Sequence, residues 1–185
     1  MDNIQQFIDK GYHKFLGIDE EKFLNLIPEK QKLQDKIFAR ALLVIPPSMI
    51  KVEKQILLSG IEPKVDLTKI SSIKTKEKPY WIYFQDGSKN RGKSPSFCRK
   101  NLSKKERGLT LVEGISLYIQ YPSILDKQSV DLIGSTYGKE CTPTIYKWAG
   151  KVMISAICSD ISDAMCGSAT CIKEDYIKKN KNLFK

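Results

Sequence analysis

The order in which helix-like and strand-like patterns occur along this chain restricts its fold more than any other feature. Near the N-terminus, Ile4, Phe7 and Ile8 recur at a spacing that places their side chains on one face of a helix. In the last third, residues 144–148 and 152–158 predict two strands joined by a tight turn. Because helices come early, strands come late and βαβ alternation is scarce, we predict an α+β fold in which a helical N-terminal segment packs on a mostly antiparallel sheet.

The length and composition of the chain favour one domain. The chain has 185 residues, of which 41% are hydrophobic, and this is enough to bury a substantial core. Aromatic residues are spread along its whole length, which argues against extended disorder. We therefore expect residues 1–185 to form a single α+β domain, with a basic loop near 86–108 and a short basic C-terminal tail from residue 173 onwards.

The apolar segments of the chain are too short to cross a membrane. The longest, at 41–50, is well below the roughly 18 residues that a membrane span needs, and Pro46 and Pro47 interrupt it. The N-terminal residues lack the basic and apolar regions of a secretory signal. We expect a cytoplasmic protein without a membrane span.

Three helices carry recognisable end signals. Asp19 is a suitable N-cap for one helix, and Gly60 is a suitable C-terminal stop for another. Thr110 and Glu113 have the spacing of a capping box, and Pro122 ends the helix that this box begins. Further apolar runs predict strands at 39–45, 80–84 and 130–133.

Positive charge is concentrated in the middle of the chain. The formal net charge is +10, yet residues 1–68 carry ten basic and ten acidic side chains, whereas residues 69–107 carry twelve and three. Residues 86–108 show little apolar periodicity, which predicts a long exposed loop, and loops of that length are often functional. The candidate anion-binding side chains in this loop are Lys89, Arg91, Lys93, Arg99, Lys100 and Arg107.

The basic loop has two interpretations. It is either a surface for a polyanion or a phosphate-bearing ligand, or a solvated run of charge that keeps the protein soluble. Phe97 is the only aromatic residue in the loop, whereas proteins that bind single strands interleave several aromatic residues with their cations. The chain has four arginines and twenty-seven lysines, which argues against bidentate reading of bases.

The cysteines do not match a metal site. There are five, an odd number in a chain without an export signal, and we expect reduced thiols. Cys158, Cys166 and Cys171 lie near Asp160 and Asp163, but structural zinc sites use close pairs separated by two to four residues. We predict no metal and no cofactor.

Catalytic motifs are equally scarce. His13 is the only histidine, and the sequence does not pair it with any cysteine nucleophile. Residues 134–139 superficially resemble a phosphate-binding loop, but three residues rather than four separate the glycines and Glu140 follows the lysine. The sequence therefore identifies no catalytic residue.

A series of small motifs runs through the C-terminal half of the chain. In order, they are Leu109-Thr110, Glu113-Gly114, Pro122, Gly134-Ser135, Pro143, Gly150 and Gly167-Ser168-Ala169-Thr170-Cys171. In this order the chain resembles an uncharacterised family of small bacterial proteins, common in actinobacteria, that is catalogued as a domain of unknown function. The resemblance covers residues 80–171 and, more faintly, the N-terminal helices. It implies a shared fold and a bacterial origin, and it brings no activity, cofactor or catalytic residue.

Two classes of function fit these observations. The first is a cytoplasmic binding or regulatory module for an anionic partner, in which the basic loop matters and no turnover occurs. The alternative is a small enzyme with a site near Glu113, Gly114 and the motif at 167–171; a glycine inside a helix costs about 1 kcal/mol, which suggests close packing or approach of a ligand there. We favour the binding module, and the ligand and the oligomeric state stay open.

Overall fold

The fold combines short helices with two sheets. The computed structural model describes residues 3–33 and 35–180. Within these ranges the α-helices are α1 (Gln5–Asp9), α2 (Tyr12–Phe15), α3 (Glu20–Asn25), α4 (Val52–Ser59), α5 (Pro95–Lys100), α6 (Leu111–Gln120) and α7 (Glu174–Lys179). Single turns of 3-10 helix lie at Leu67–Lys69, Ser88–Asn90 and Pro122–Ile124.

The strands form two sheets that are mostly antiparallel. The strands are β1 (Arg40–Val44), β2 (Glu62–Pro63), β3 (Ile70–Ser72), β4 (Tyr80–Gln85), β5 (Glu106–Gly108), β6 (Ser129–Asp131), β7 (Ser135–Tyr137), β8 (Cys141–Trp148), β9 (Lys151–Cys158), β10 (Cys166–Ser168) and β11 (Thr170–Ile172). One sheet has the order β1-β4-β11-β5, and the other contains β10, β6, β8, β7 and β3, with β9 pairing both β8 and β2. The single α+β domain and its mostly antiparallel sheets confirm the predicted fold class.

Capping residues set the ends of the main helices. The Asp19 side chain accepts a hydrogen bond from the Lys22 amide at 2.8 Å, and Gly60 ends α4 in a left-handed conformation. Thr110 and Glu113 form a capping-box arrangement at the start of α6. The hydrogen bond formed is the one in which the Glu113 carboxylate accepts the Thr110 amide at 2.8 Å, whereas the Thr110 hydroxyl has no partner among the residues that the structure describes.

Helix α6 packs on strand β1 and closes the edge of the smaller sheet. Its Gln120 side chain accepts a hydrogen bond from the Leu43 amide at 3.0 Å and donates one to the Leu43 carbonyl at 2.7 Å. The side-chain amide thus pairs with the edge strand as another strand would. Ile115 and Leu117 of α6 are fully buried in the main core between the helices and the sheets.

Two pairs of glycines allow backbone segments to cross at close range. A Cβ atom on Gly134 would lie 2.5 Å from the Gly108 carbonyl oxygen, and one on Gly167 would lie 2.4 Å from the Gly87 carbonyl oxygen. Contacts this short leave no room for a side chain. Close packing also explains the glycine at position 114 in the middle of α6, because a Cβ there would lie 2.5 Å from the Leu132 side chain.

The segment predicted as a long exposed loop, 86–108, is more ordered than expected. It contains a 3-10 turn, helix α5 and strand β5. Ser94 caps α5 by accepting the Phe97 amide at 3.3 Å, and Pro95 occupies the first turn, where its missing amide hydrogen costs nothing. The predicted basic tail begins with α7, and its residues 181–185 lie outside the described part of the chain.

No helix among the described residues is long and apolar enough to cross a membrane.

Candidate functional site

A cavity of about 1030 Å³ opens beside the first residues of β4. Its other walls come from residues 28–31, residues 74–79, Arg107 of β5, and the start of α7 with the residues just before it, all distant in sequence from one another. A volume of this size suits a small organic ligand.

The cavity has an aromatic wall from strand β4. Tyr80, Trp81 and Tyr83 line it, and two of these side chains also hold the opposite segment in place. The Trp81 indole donates a hydrogen bond to the Pro28 carbonyl at 2.8 Å, and the Tyr83 hydroxyl donates one to the Gln31 carbonyl. The strand therefore fixes both the wall and the segment that faces it.

Cationic side chains outnumber acidic ones around the cavity. The cations are Lys74, Lys76, Arg107, Lys173 and Lys178, and the acids are Glu29, Glu174 and Asp175. Glu174 forms ion pairs with Lys76 at 3.1 Å and with Lys178 at 3.0 Å. Among the described residues, Lys74 makes no ion pair, so its charge is available to a ligand.

Behind the aromatic wall lies a buried ion pair. The Arg107 guanidinium contacts the Glu113 carboxylate through two hydrogen bonds, Nη1 to Oε2 at 2.8 Å and Nη2 to Oε1 at 2.6 Å. The Tyr80 hydroxyl donates to Glu113 Oε1 at 3.0 Å, and the Thr110 amide donates to Oε2. The carboxylate is fully buried, and within the described chain these neighbours supply all the hydrogen bonds that it accepts.

Arg107 and Glu113 each stabilise the charged form of the other, and this shifts the pKa values of both groups. Burial alone would raise the pKa of Glu113, but the Arg107 guanidinium and the two further donors outweigh burial and hold the pKa below its ordinary value. Burial would lower the pKa of Arg107, and the bond to Glu113 outweighs it and raises that pKa. Burial, followed by the Glu113 charge, raises the pKa of Tyr80. Arg107 and Glu113 therefore stay ionised while Tyr80 stays neutral.

Arg107 is the part of this network that a ligand can reach. Its side chain is 22% exposed, and it lines the cavity. Three hydrogen bonds to the Gly108 carbonyl and the Glu113 carboxylate use three of the five guanidinium hydrogens. Within the described chain the other two have no acceptor, so a rigidly held guanidinium can still donate into the cavity.

The region that the sequence suggested for an enzyme is brought together but enclosed. Cys171 of β11 pairs with Arg107 of β5, so the 167–171 motif and Glu113 meet at the arginine. All five residues of the motif are buried, and burial raises the pKa of the Cys171 thiol. Neither Cys171 nor Glu113 lines the cavity. The motif packs inside the fold, as the close approach of Gly167, its single glycine, to the Gly87 backbone already indicates.

The six basic side chains singled out in the sequence fall into two groups. Arg99 and Arg107 are used inside the protein. Arg99 donates to the carbonyl groups of Ile133 and Ser135 and to the hydroxyl groups of Thr142 and Ser159. Both side chains are therefore held by hydrogen bonds within the fold, although an exposed loop was predicted, and Arg107 also borders the large cavity. Lys89, Arg91, Lys93 and Lys100 are exposed.

Two of the exposed lysines flank a second, smaller recess. Lys89 and Lys93 line a cleft of about 110 Å³ that Asn90 and Phe97 also border. The Phe97 ring is 49% exposed, and the Lys93 ammonium lies 5.9 Å from its centroid. Arg91 donates from Nε to the Ala164 carbonyl at 3.4 Å and lies outside this cleft.

The described part of the chain contains no cluster of side chains that is arranged to hold a metal ion, and its histidine is not positioned beside a cysteine. No group of three His, Cys, Asp or Glu residues within 3–33 and 35–180 is placed to hold a metal ion. His13 is buried in α2, and its Nε2 lies 3.9 Å from the exposed Glu20 carboxylate.

The sequence did not predict the large cavity. Its walls are up to 150 residues apart, and short-range patterns do not report such distances. A partial signal was present, since three lysines at 74–78 precede the aromatic residues at 80–84.

The fold and the cavity define a single-domain α+β protein with one ligand-sized, cation-rich and aromatic-walled cavity among its described residues. The chain belongs to a family of unknown function (DUF5701), whose family model matches residues 6–146. The match includes the N-terminal helices, where the resemblance in the sequence was faint, and it ends before the 167–171 motif. No curated protein and no solved structure matches the chain.

Proposed function

We propose that the protein is a cytoplasmic binding module for a small anionic ligand, and that this ligand occupies the cavity beside β4. The observation that carries the proposal is the combination of five cationic side chains and an aromatic wall in one cavity. Arg107 is held by Glu113 and keeps two donor hydrogens, so it can form charge-assisted hydrogen bonds without first being ordered. The ligand class is an organic carboxylate or phosphate with an apolar part.

Enclosure of the reactive groups favours binding over catalysis. The Glu113 carboxylate and the Cys171 thiol lie behind the wall, and the pKa of that thiol is raised by burial. Tyr80 and Arg107 are the members of this network that border the cavity, and a neutral phenol and a permanent cation suit recognition. A small enzyme with its site at this position is the alternative, and conversion of a bound ligand to product would identify it.

A tryptophan at the cavity wall provides the test. The chain has two tryptophans, and Trp148 is 72% exposed on the hairpin, so Trp148→Phe leaves Trp81 as the single reporter. Anilinonaphthalene sulfonate, an aromatic anion, should quench Trp81 fluorescence to saturation. Lys74→Gln and Lys173→Gln should each weaken that binding about tenfold, because each removes a charge-assisted contact of about 1.4 kcal/mol.

A matched control distinguishes binding in this cavity from a general effect of the protein's positive charge. Lys139→Gln removes an exposed lysine that does not line the cavity and should leave the affinity unchanged. An equal loss in all three variants, or an absence of saturable quenching, would refute the proposal. Native mass spectrometry of the purified protein then identifies any ligand that remains bound.

The cleft beside Phe97 supports a second candidate, a surface for a polyanion. Lys89 and Lys93 flank this cleft and Lys100 lies exposed on the same helix as Phe97. Each neutralised phosphate releases counterions, so affinity for single-stranded RNA should fall steeply with salt. Replacement of the three lysines by glutamine should flatten that slope by about two to three.

The control for the polyanion surface replaces three exposed lysines elsewhere. Lys14, Lys54 and Lys139 are exposed and lie outside both recesses. Their replacement by glutamine removes the same total charge. If both triple variants changed the salt slope equally, the cleft would have no special role and only the net charge would act.

A further inference from the structure

Two cysteines face one another across the β8–β9 hairpin. Cys141, at the start of β8, is directly opposite Cys158, at the end of β9. Side chains at directly opposite positions of an antiparallel pair lie on the same face of the sheet, next to each other. Both are free thiols in this structure.

The strand register shows whether Cys141 and Cys158 form a hydrogen-bonded or a non-hydrogen-bonded pair. The Ser159 amide donates to the Glu140 carbonyl at 2.8 Å, so residues 140 and 159 are a hydrogen-bonded pair. Hydrogen-bonded and non-hydrogen-bonded pairs alternate along an antiparallel ladder, and Cys141 and Cys158 are therefore a non-hydrogen-bonded pair. Pro143, which has no amide hydrogen, occupies a position of the same kind two residues further along, as this alternation requires.

A non-hydrogen-bonded pair has a spacing that a disulfide can bridge. Its Cα atoms lie about 4.5 Å apart, which falls within the roughly 4.4–6.8 Å seen across disulfides. The strands therefore need little movement to accept an S–S bond at this position. The other three cysteines do not face a second cysteine on a neighbouring strand of the described chain.

The same two thiols are the accessible ones. Cys158 is exposed and Cys141 is half-buried, whereas Cys98, Cys166 and Cys171 are buried. Burial raises the pKa of Cys166 to about 12 and that of Cys171 further, so both stay protonated and unreactive. Geometry and access thus select the same pair out of five.

We propose that Cys141 and Cys158 form a reversible redox pair that a small disulfide, such as oxidised glutathione, converts to a cross-strand disulfide. The exposed Cys158 thiolate attacks one sulfur of oxidised glutathione, which forms a mixed disulfide and releases one reduced glutathione. The Cys141 thiolate then attacks Cys158 Sγ, forms the intramolecular bond and releases the second glutathione. The protein loses two protons and two electrons, and oxidised glutathione gains them.

The bond would close the hairpin end next to the residues that hold helix α5. Thr142 and Ser159 follow the two cysteines directly, and their hydroxyl groups accept hydrogen bonds from Arg99 at 2.8 and 3.2 Å. The Ser159 carbonyl also accepts the Ser96 amide at 2.8 Å. Oxidation therefore acts on the strand end that positions α5, independently of what the large cavity binds.

The experiment equilibrates the full chain in glutathione buffers from fully reduced to fully oxidised, blocks the remaining thiols by alkylation and maps the products by mass spectrometry. We expect one peptide pair linked through Cys141 and Cys158, a mass loss of two hydrogen atoms, and full reversal by excess reduced glutathione. The oxidised chain should also unfold at a higher temperature than the reduced chain, because the link restricts the unfolded state.

Single variants complete the test. Cys158→Ser and Cys141→Ser should both abolish the bridge and the rise in melting temperature, while Cys98→Ser, which removes a buried thiol, should keep both. A stable glutathione adduct on Cys158 without a bridge, a link to any other cysteine, a disulfide between two chains, or a bridge that forms only in denaturant would each overturn the proposal.

Discussion

Glu113 carries a negative charge into the core and depends on one arginine to keep it there. Its carboxylate is fully buried, and Arg107 supplies two of its four hydrogen bonds. The gain from such a pair is largely offset by the loss of hydration of both ions, so the pair adds little net stability. Removal of one partner has a different effect, because the other charge stays buried without compensation.

Glu113→Gln should therefore destabilise the protein strongly although it changes the shape very little. It leaves the mostly buried Arg107 charge at the cavity wall without its anionic partner, and we expect a loss of about 3 kcal/mol in the free energy of unfolding. Urea unfolding measures this loss. Glu53→Gln, on an exposed face of α4, is the matched control and should change stability by less than about 0.5 kcal/mol. A small effect at both positions would contradict the importance of the buried pair.

Asp131 predicts a distinct pH dependence. Burial, assisted by the Asp163 charge and opposed by a hydrogen bond from Thr144, raises the pKa of Asp131 to about 6. Because the folded-state pKa is higher than the ordinary value of 3.8, the unfolded chain loses this proton at lower pH than the folded chain does. The stability that Asp131 contributes is fully present below pH 3.8 and is lost as pH rises to about 6.

Asp131→Asn should remove that pH dependence. The difference in free energy of unfolding between wild type and variant should shift by about 3 kcal/mol in favour of the variant between pH 3.5 and pH 7. Urea unfolding at half-unit steps of pH measures the difference, and subtraction cancels the other titrating groups. A difference that stays constant across this range would show that the carboxyl group titrates normally.

At the level of single residues the sequence located the charge but did not show how it is used. All six basic candidates lie where the charge count is highest, yet Arg99 and Arg107 serve as internal hydrogen-bond donors. Their partners include carbonyl groups 34 and 36 residues away. Composition reports how many cations a segment has, and only the folded chain decides which of them meet buried acceptors.

At the level of helices and strands, the place that tolerates substitution least is the crossing of β5 with the turn before β7. A Cβ on Gly134 would lie 2.5 Å from the Gly108 carbonyl oxygen, and the atoms it would meet belong to the backbone. Backbone cannot rotate aside as a flexible side chain can, so the two segments must separate.

Gly134→Ala should cost about 3 kcal/mol, the upper part of the usual range for overpacking. Gly138→Ala is a useful comparison because the backbone φ is +58° there, but a Cβ would meet no atom of the described residues within 4 Å. That variant should lose only about 1 kcal/mol, from the left-handed conformation alone. Thermal unfolding of both variants measures the contrast, and equal losses would mean that the crossing relaxes easily.

Elements with local end signals were predicted well, and elements defined by distant pairing were not. Asp19, Gly60 and the Thr110–Glu113 pair mark helix ends in the structure as they do in the sequence. Helix α5 carries Ser94 and Pro95, an equally local signal that the density of charge around it obscured. Strands β2, β5, β10 and β11 have two or three residues each, and only their neighbours hold them in place.

For the molecule as a whole, the family match and the folding unit have different boundaries. The family model ends at residue 146, but β9 pairs with the whole of β8, and β11 lies between β4 and β5. A chain that ends at residue 146 therefore lacks a central strand of one sheet and the long partner strand of the other.

We expect the 1–146 fragment to show no cooperative thermal transition. A chain that ends at residue 173 keeps all eleven described strands and should still unfold cooperatively, although without the packing of Tyr176 and Ile177. Circular dichroism during heating distinguishes the two fragments. Cooperative unfolding of the shorter one would show that the matched region folds without the last three strands.

The position of β11 also has a consequence for synthesis of the protein. Thr170 pairs with Gln85, 85 residues earlier in the chain. At ribosomal rates of about 5–20 residues per second, the inner edge of β4 waits roughly 4–17 seconds for its neighbour. During this interval an aromatic-rich strand presents an open edge to other nascent chains. Self-association should therefore be a hazard when many chains are made at once, one that a lower expression level or a chaperone would reduce and that slower elongation would increase.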